Sequence, residues 1–175
     1  MRYAPKHNPM VFFQDVTDNG NPNSQNCIKH NRPLPELQTD LTSNSVARYN
    51  FITPNLCNDM HGALGCQNPD TVKAGNDWLN LWIPRIMASK AYTQGGVIFI
   101  TWDESEPGSS ACPAGNCPIG MIVVSPLNKG GGYSNTVAYD HSSTLKTIEE
   151  IFGVTPLLGG AANATDLRDL FTTFP

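Results

Sequence analysis

The chain has 175 residues, of which 39% are hydrophobic and only 15% charged, and 11 Lys and Arg against 15 Asp and Glu leave a net charge of −4. That length suits one domain with a substantial core of its own. The acidic balance without a basic run argues against a nucleic-acid partner. The longest apolar runs, Val97–Ile100 and Met121–Val124, fall far short of the about 20 residues that a membrane helix needs.

Met1-Arg2-Tyr3-Ala4-Pro5 leads straight into polar sequence, with no signal peptide. Residues 14–47, rich in Asn, Asp, Pro and Ser, read as a long loop-rich excursion in which Leu34, Leu37 and Leu41 mark one short helix. Arg48–Thr53 is expected to be a strand stopped by Pro54. Gly75–Tyr92 predicts a helix capped by Asn76 or Asp77, with Trp78, Leu81, Trp82 and Ile86 on one face and a kink or restart at Pro84. Val97–Trp102 and Ile119–Ser125 are apolar without alternation, as in strands buried on both faces of a parallel sheet. Lys129–Tyr133 is glycine-rich, opens no helix and reads as a mobile loop. Ser142 or Ser143 should cap a helix with Leu145, Ile148, Ile151 and Phe152 buried and Gly153 at its end. Thr165–Phe171 predicts a last short helix. The order implies an α/β fold, a layered and mainly parallel sheet with helices on its faces, forming a single domain over residues 1–175.

The five cysteines lack the paired C-x-x-C spacing of a zinc site. Cys57 and Cys66 flank one loop, and Cys112 and Cys117 close a short Pro/Gly-rich turn, so two local disulfides are expected, as suits an oxidising compartment. Cys27 is left over. With the absent signal peptide, this suggests the C-terminal portion of a longer protein that is secreted or periplasmic. Asn163-Ala164-Thr165 fits the N-glycosylation pattern, a weak signal.

Ligands of open α/β sheets bind beyond the carboxyl ends of strands, where several polar clusters are expected. Asp103 and Glu104 follow one strand, Asp59 and His61 follow another segment, and Asp140 and His141 precede the Ser-capped helix. His7 lies in a further cluster, Lys6-His7-Asn8-Pro9. Each has a plainer reading. Adjacent acids also start solvated loops, histidines also pack in loops, and Asp140 also suits a helix dipole. Together, carboxylates and imidazoles at strand ends form the ligand set of a divalent metal site. No nucleophile elbow, Walker loop or dinucleotide fingerprint is present.

Four stretches carry a resemblance: Tyr3–Pro9, Ile52–His61, Phe99–Glu104 and Tyr139–Leu145. In that order they resemble the phosphoesterase family, which joins bacterial phospholipases C with secreted acid phosphatases in the alkaline phosphatase superfamily. The resemblance implies a metal-dependent phosphate-ester hydrolase in which a Ser or Thr is phosphorylated and then released by water. Asp103 and Glu104 look like the metal pair, His61 with Asp59 beside it like the phosphate-side histidine, and His7 like a second one. Asp140 and His141 are secondary candidates. The cofactor is a divalent metal ion of unknown identity, and the substrate a small phosphate ester or a lipid head group. In the family a metal-binding loop and the nucleophile precede the Lys-His-Asn-Pro motif, so the nucleophile is unknown here and an N-terminal segment is expected to be missing. The expectation is little turnover by the chain alone, metal-dependent phosphate binding, and exposed sheet edge that favours self-association. The alternatives are phospholipase C-type diester cleavage, a non-catalytic binding domain, and a carboxyl esterase using Ser105 or Ser134.

Overall fold

The computed structural model describes residues 3–105, 112 and 117–175. The chain divides into two compact units, Met1–Ala91 and Tyr92–Pro175. The first unit opens with 3-10 turns at Pro5–His7 and Pro9–Phe12, then α1 (Gln14–Thr17), α2 (Gln25–His30), α3 (Pro35–Ser43) and α4 (Thr71–Met87). A single turn of helix, α5 (Lys90–Thr93), follows in sequence. The stretch 14–47 thus carries three short helices. Ser24 starts α2 by accepting the Cys27 N–H at 3.0 Å. Leu41 is the buried residue of α3.

The long helix α4 begins earlier than its apolar spacing suggests. Asp70 is the cap, its carboxylate accepting the Lys73 N–H at 2.9 Å, because an Asx side chain just ahead of the first turn satisfies an orphan donor there. Pro84 neither ends nor restarts the helix, which runs on to Met87. Trp82 is buried, and the Arg85 guanidinium lies 5.3 Å from its ring centre. Arg48–Thr53 is not a strand. Among the described residues no strand lies beside it to pair with, and Thr53 Oγ1 instead donates to the His7 carbonyl at 2.9 Å.

In the second unit, β1 (Ile98–Thr101) and β2 (Met121–Val124) form the only sheet among the described residues. They pair antiparallel, with Ile98 opposite Val124 and Thr101 opposite Met121. The layered, mainly parallel sheet expected from the apolar runs is therefore wrong. An apolar run reports burial but not direction. A parallel return needs a crossover, usually helical, whereas the return from β1 to β2 contains the Cys112–Cys117 disulfide. The turn expected at 113–116 lies outside the described residues.

Helix α6 (His141–Phe152) ends at Gly153 in the left-handed conformation, φ 64°. Its cap is Asp140, and Ser143 sits three positions on as the other half of a capping box. The expected stripe is only partly buried. Ile148, Ile151 and Phe152 are half-buried and Leu145 is exposed, while Ser143, Thr147 and Glu149 are the buried positions. Each of these polar groups meets the partner it needs. Thr147 Oγ1 donates to the Ser143 carbonyl at 2.8 Å and accepts the Leu167 N–H at 2.9 Å, and both Glu149 oxygens accept the Leu158 N–H. The C-terminal segment is thus bound to α6 through hydrogen bonds, with Leu167 fully buried. Of the expected Thr165–Phe171 helix, a 3-10 turn at Arg168–Leu170 forms.

The Lys129–Tyr133 loop, expected to be mobile, is tied down at several points. Lys129 donates its N–H to the Leu170 carbonyl at 3.0 Å and its ammonium to Asp169 at 2.8 Å. Tyr133 Oη and Asn135 Nδ2 both donate to the other Asp169 oxygen at 2.7 Å. A glycine run permits movement but does not compel it when both ends find partners.

Thr147→Val keeps the shape of the side chain but strands the Leu167 N–H, and should cost about 1–3 kcal/mol of stability, read from denaturant unfolding. A second outcome concerns pH. The Lys129 ammonium first, then Tyr133 and Asn135, hold the Asp169 carboxyl well below the usual carboxylate range. Because the folded-state value is depressed, this contribution is full above the ordinary value of about 4 and is lost only as pH falls through the lower folded value. Amide and Tyr133 resonances of the loop should therefore stay unchanged from pH 7 to about 4. A transition centred near the ordinary carboxylate value would contradict the tether.

Candidate functional site

Three of the expected site residues meet in the first unit. His7 ends the Pro5–His7 turn, and its carbonyl is fixed by Thr53. Asp59 and His61 lie on a loop that the Cys57–Cys66 disulfide closes, with Cα atoms 5.4 Å apart. Asn55 shapes that loop: its side chain accepts the Cys57 N–H at 3.0 Å, and its carbonyl accepts the N–H groups of Asn58 and Asp59. One Asp59 oxygen accepts the His61 N–H at 3.0 Å, and the other stands 3.4 Å from His7 Nδ1. The two imidazole rings are edge to face, with centroids 6.4 Å apart.

A feature absent from the sequence-based expectations pins this loop. Met60 has a positive φ of 72°, a costly conformation for a non-glycine residue, and its side chain presses onto α4 at Gly75. A Cβ at Gly75 would collide with Met60 Cγ and lie 3.3 Å from the Asn58 carbonyl oxygen. The signal is present in the sequence. A glycine inside a helical pattern is a propensity cost that usually has a packing reason, whereas treating Gly75 as a helix start leaves that cost unexplained.

The other expected residues belong to the second unit. Asp103 and Glu104 follow β1 after one intervening residue, Trp102, and are both exposed. Trp102 sets their approach by packing on Gly120, where a Cβ would come within 2.9 Å of the indole, and Thr101 Oγ1 donates to the Gly120 carbonyl at 2.8 Å. Neither carboxylate has a hydrogen-bond or ion-pair partner among the described residues. The next residue, Ser105, accepts the Cys117 N–H at 3.1 Å, beside the Cys112–Cys117 disulfide. That contact ties it to the disulfide segment. Asp140 is engaged as the cap of α6, accepting the Ser143 N–H at 2.9 Å, and His141 is exposed at the helix start.

As a metal centre, Asp103 and Glu104 offer hard oxygen donors suited to a divalent cation. Among the described residues, no group of three or more His, Cys, Asp or Glu converges as a complete ligand set. Two surface hollows, of about 440 and 420 Å³, lie elsewhere: one is walled by Met121–Val123 and the Gly130–Tyr133 loop, the other by the Cys57 region and α4. Neither is lined by His7, Asp59, His61, Asp103 or Glu104.

The chain is similar to known proteins. The profile of the Phosphoesterase family matches residues 2–155. The chain belongs to that family. It is similar to a phosphatidylinositol-3-phosphatase of Mycobacterium tuberculosis, at 30% identity over 97% of this chain and 48% of that protein. It is also similar to a phosphate-repressible acid phosphatase of Penicillium chrysogenum, at 27% identity over 90% of this chain and 34% of the relative. A probable acid phosphatase of Kluyveromyces lactis is 23% identical over 94% of this chain and 36% of its own length. The chain thus spans about a third to a half of the length of these relatives. No solved structure matches it.

The Gly75 contact leads to a test. Gly75→Ala gains about 1 kcal/mol of helix propensity but must displace Met60, and overpacking of this kind costs about 1–3 kcal/mol. The variant should be less stable than the parent, with shifted His61 ring resonances. Adding Met60→Ala should recover most of both effects.

Proposed function

We propose that this chain serves phosphate-ester hydrolysis of the acid-phosphatase type. What carries the proposal is the meeting of His7, Asp59 and His61 from two separate motifs, with two imidazoles edge to face and one carboxylate set between the His7 ring and the His61 backbone. Imidazoles so placed suit charge-assisted hydrogen bonds to phosphoryl oxygens and proton transfer at the leaving oxygen. The names of the relatives, acid phosphatases and a phosphatidylinositol-3-phosphatase, support a phosphate ester as substrate. The second name favours a phosphorylated lipid head group as one form of it.

Asp103 and Glu104 are the residues we assign to a divalent metal ion. Bound there, the ion would neutralise charge on phosphoryl oxygens. Asp140 serves as a cap and His141 remains a secondary candidate at the same helix start. No Ser or Thr is assigned as nucleophile. The two disulfides agree with a secreted or periplasmic setting. Among the described residues, no helix is long and apolar enough to cross a membrane.

The test has two arms. Calorimetry on the chain should show inorganic phosphate binding that disappears with a chelator and returns with a divalent metal, and Asp103→Ala should abolish the metal dependence. The full-length product of the gene should hydrolyse p-nitrophenyl phosphate faster than the bis-ester, with His61→Ala lowering kcat by about 10²–10⁴-fold. Phosphate binding indifferent to metal would remove the assignment of the acid pair. Turnover unchanged in the His61 variant would remove the histidine from the chemistry.

A further inference from the structure

The Asp59 carboxylate presents an imbalance. Its side chain is only 10% exposed, and one of its oxygens is the only buried side-chain polar atom lacking a hydrogen bond among the described residues. That oxygen faces His7 Nδ1 at 3.4 Å, within ion-pair range but not aligned as a hydrogen bond. Its sister oxygen is committed to the His61 N–H at 3.0 Å. A buried carboxylate oxygen demands a donor, and His7 Nδ1 stands in position to supply one.

His61 has a parallel arrangement. Its Nδ1 lies 2.9 Å from the Gly62 carbonyl oxygen. A carbonyl can only accept, so His61 Nδ1 must carry the proton and Nε2 is left free. A carboxylate imposes the same order on His7: proton on Nδ1, free Nε2. Binding one ring nitrogen to a carboxylate or backbone carbonyl is how proteins fix the tautomer of a working imidazole.

We propose that Asp59 is a positioning residue for both histidines: it sets the His7 tautomer with one oxygen and fixes the His61 backbone with the other. In the neutral state both rings then present a bare Nε2, able to take a proton. The catalytic consequence rests on the phosphate-ester reading; the tautomer assignment does not. Asp59 is thus placed behind His7 and need not touch substrate.

The geometry makes Asp59→Asn a sharp test. The amide oxygen is held in place by the His61 N–H, so the new NH2 group must take the place of the orphan oxygen. It would point a donor at His7 Nδ1 and favour the opposite tautomer, with the proton on Nε2. In protein labelled with 15N-histidine, and with rings assigned through His→Gln variants, wild-type His7 and His61 should both show the Nδ1–H signature in long-range 15N–1H spectra. In Asp59→Asn, His7 should change to Nε2–H and His61 should stay as it is. The kcat of the full-length protein should fall by about 10- to 100-fold, the usual scale for losing such a partner. A merely structural role would not exchange one tautomer for the other. A wild-type His7 already in the Nε2–H form overturns the proposal, and that measurement needs no variant to fold. So does a His7 that keeps Nδ1–H in the Asp59→Asn protein. Absence of phosphatase activity in the wild type would defeat the function proposed above and leave the tautomer result intact.

Discussion

The histidine loop keeps its shape because it is pressed against a helix that has no side chain at the point of contact. Met60 adopts a left-handed backbone and lies on Gly75 of α4. Both residues are unfavourable in isolation, one for its φ and the other for its place in a helix. They are tolerated together because each makes room for the other. With Met60 seated, Asp59 and His61 flank it on a short turn, and Asp59 reaches His7. The loop therefore rests on α4, through Met60 at Gly75 and through Gly62 against Thr71 at the start of the helix.

The second unit uses polar groups where the first uses shape. Helix α6 buries Ser143, Thr147 and Glu149, and each of them meets a hydrogen-bond partner. Buried polar groups stabilise only when satisfied and are costly otherwise. Such an arrangement specifies the path of the C-terminal segment more narrowly than an apolar stripe would. Asp169 repeats the device at the surface, gathering a lysine, a tyrosine and an asparagine around one carboxylate.

Much of this is legible in the sequence, and the failures have physical causes. Continuous apolar runs locate β1 and β2 to within about two residues, the usual uncertainty of element ends, and loop-closing cysteine spacing identifies both disulfides. Strand direction is not legible, because Val, Ile and Phe look the same in either orientation. The helix starts are misplaced by the same error twice. Asn76 and Ser142 or Ser143 are capable caps, but Asp70 and Asp140 stand further upstream with a donor in reach. Periodicity alone puts Leu145 in the core, yet α6 turns its polar side inward where the tail supplies partners. For the candidate site, the motifs put forward the individual residues. The pairing of Asp59 with His7 across the first unit is beyond them, since spacing along the chain carries no information about which side chains meet in space.

The two disulfides have a practical meaning for anyone producing the protein. One encloses Asp59 and His61, and the other holds the segment that receives Ser105 beside Asp103 and Glu104. Neither disulfide joins the long helices α4 or α6 directly, and the caps of those helices are hydrogen bonds to Asp70 and Asp140. Material made in a reducing cytosol could therefore carry native-like helical signal and still have both groups of candidate residues loosened. Helical content is thus a poor certificate for such a preparation, and a count of free thiols a good one: a single thiol, Cys27, marks correctly oxidised chain.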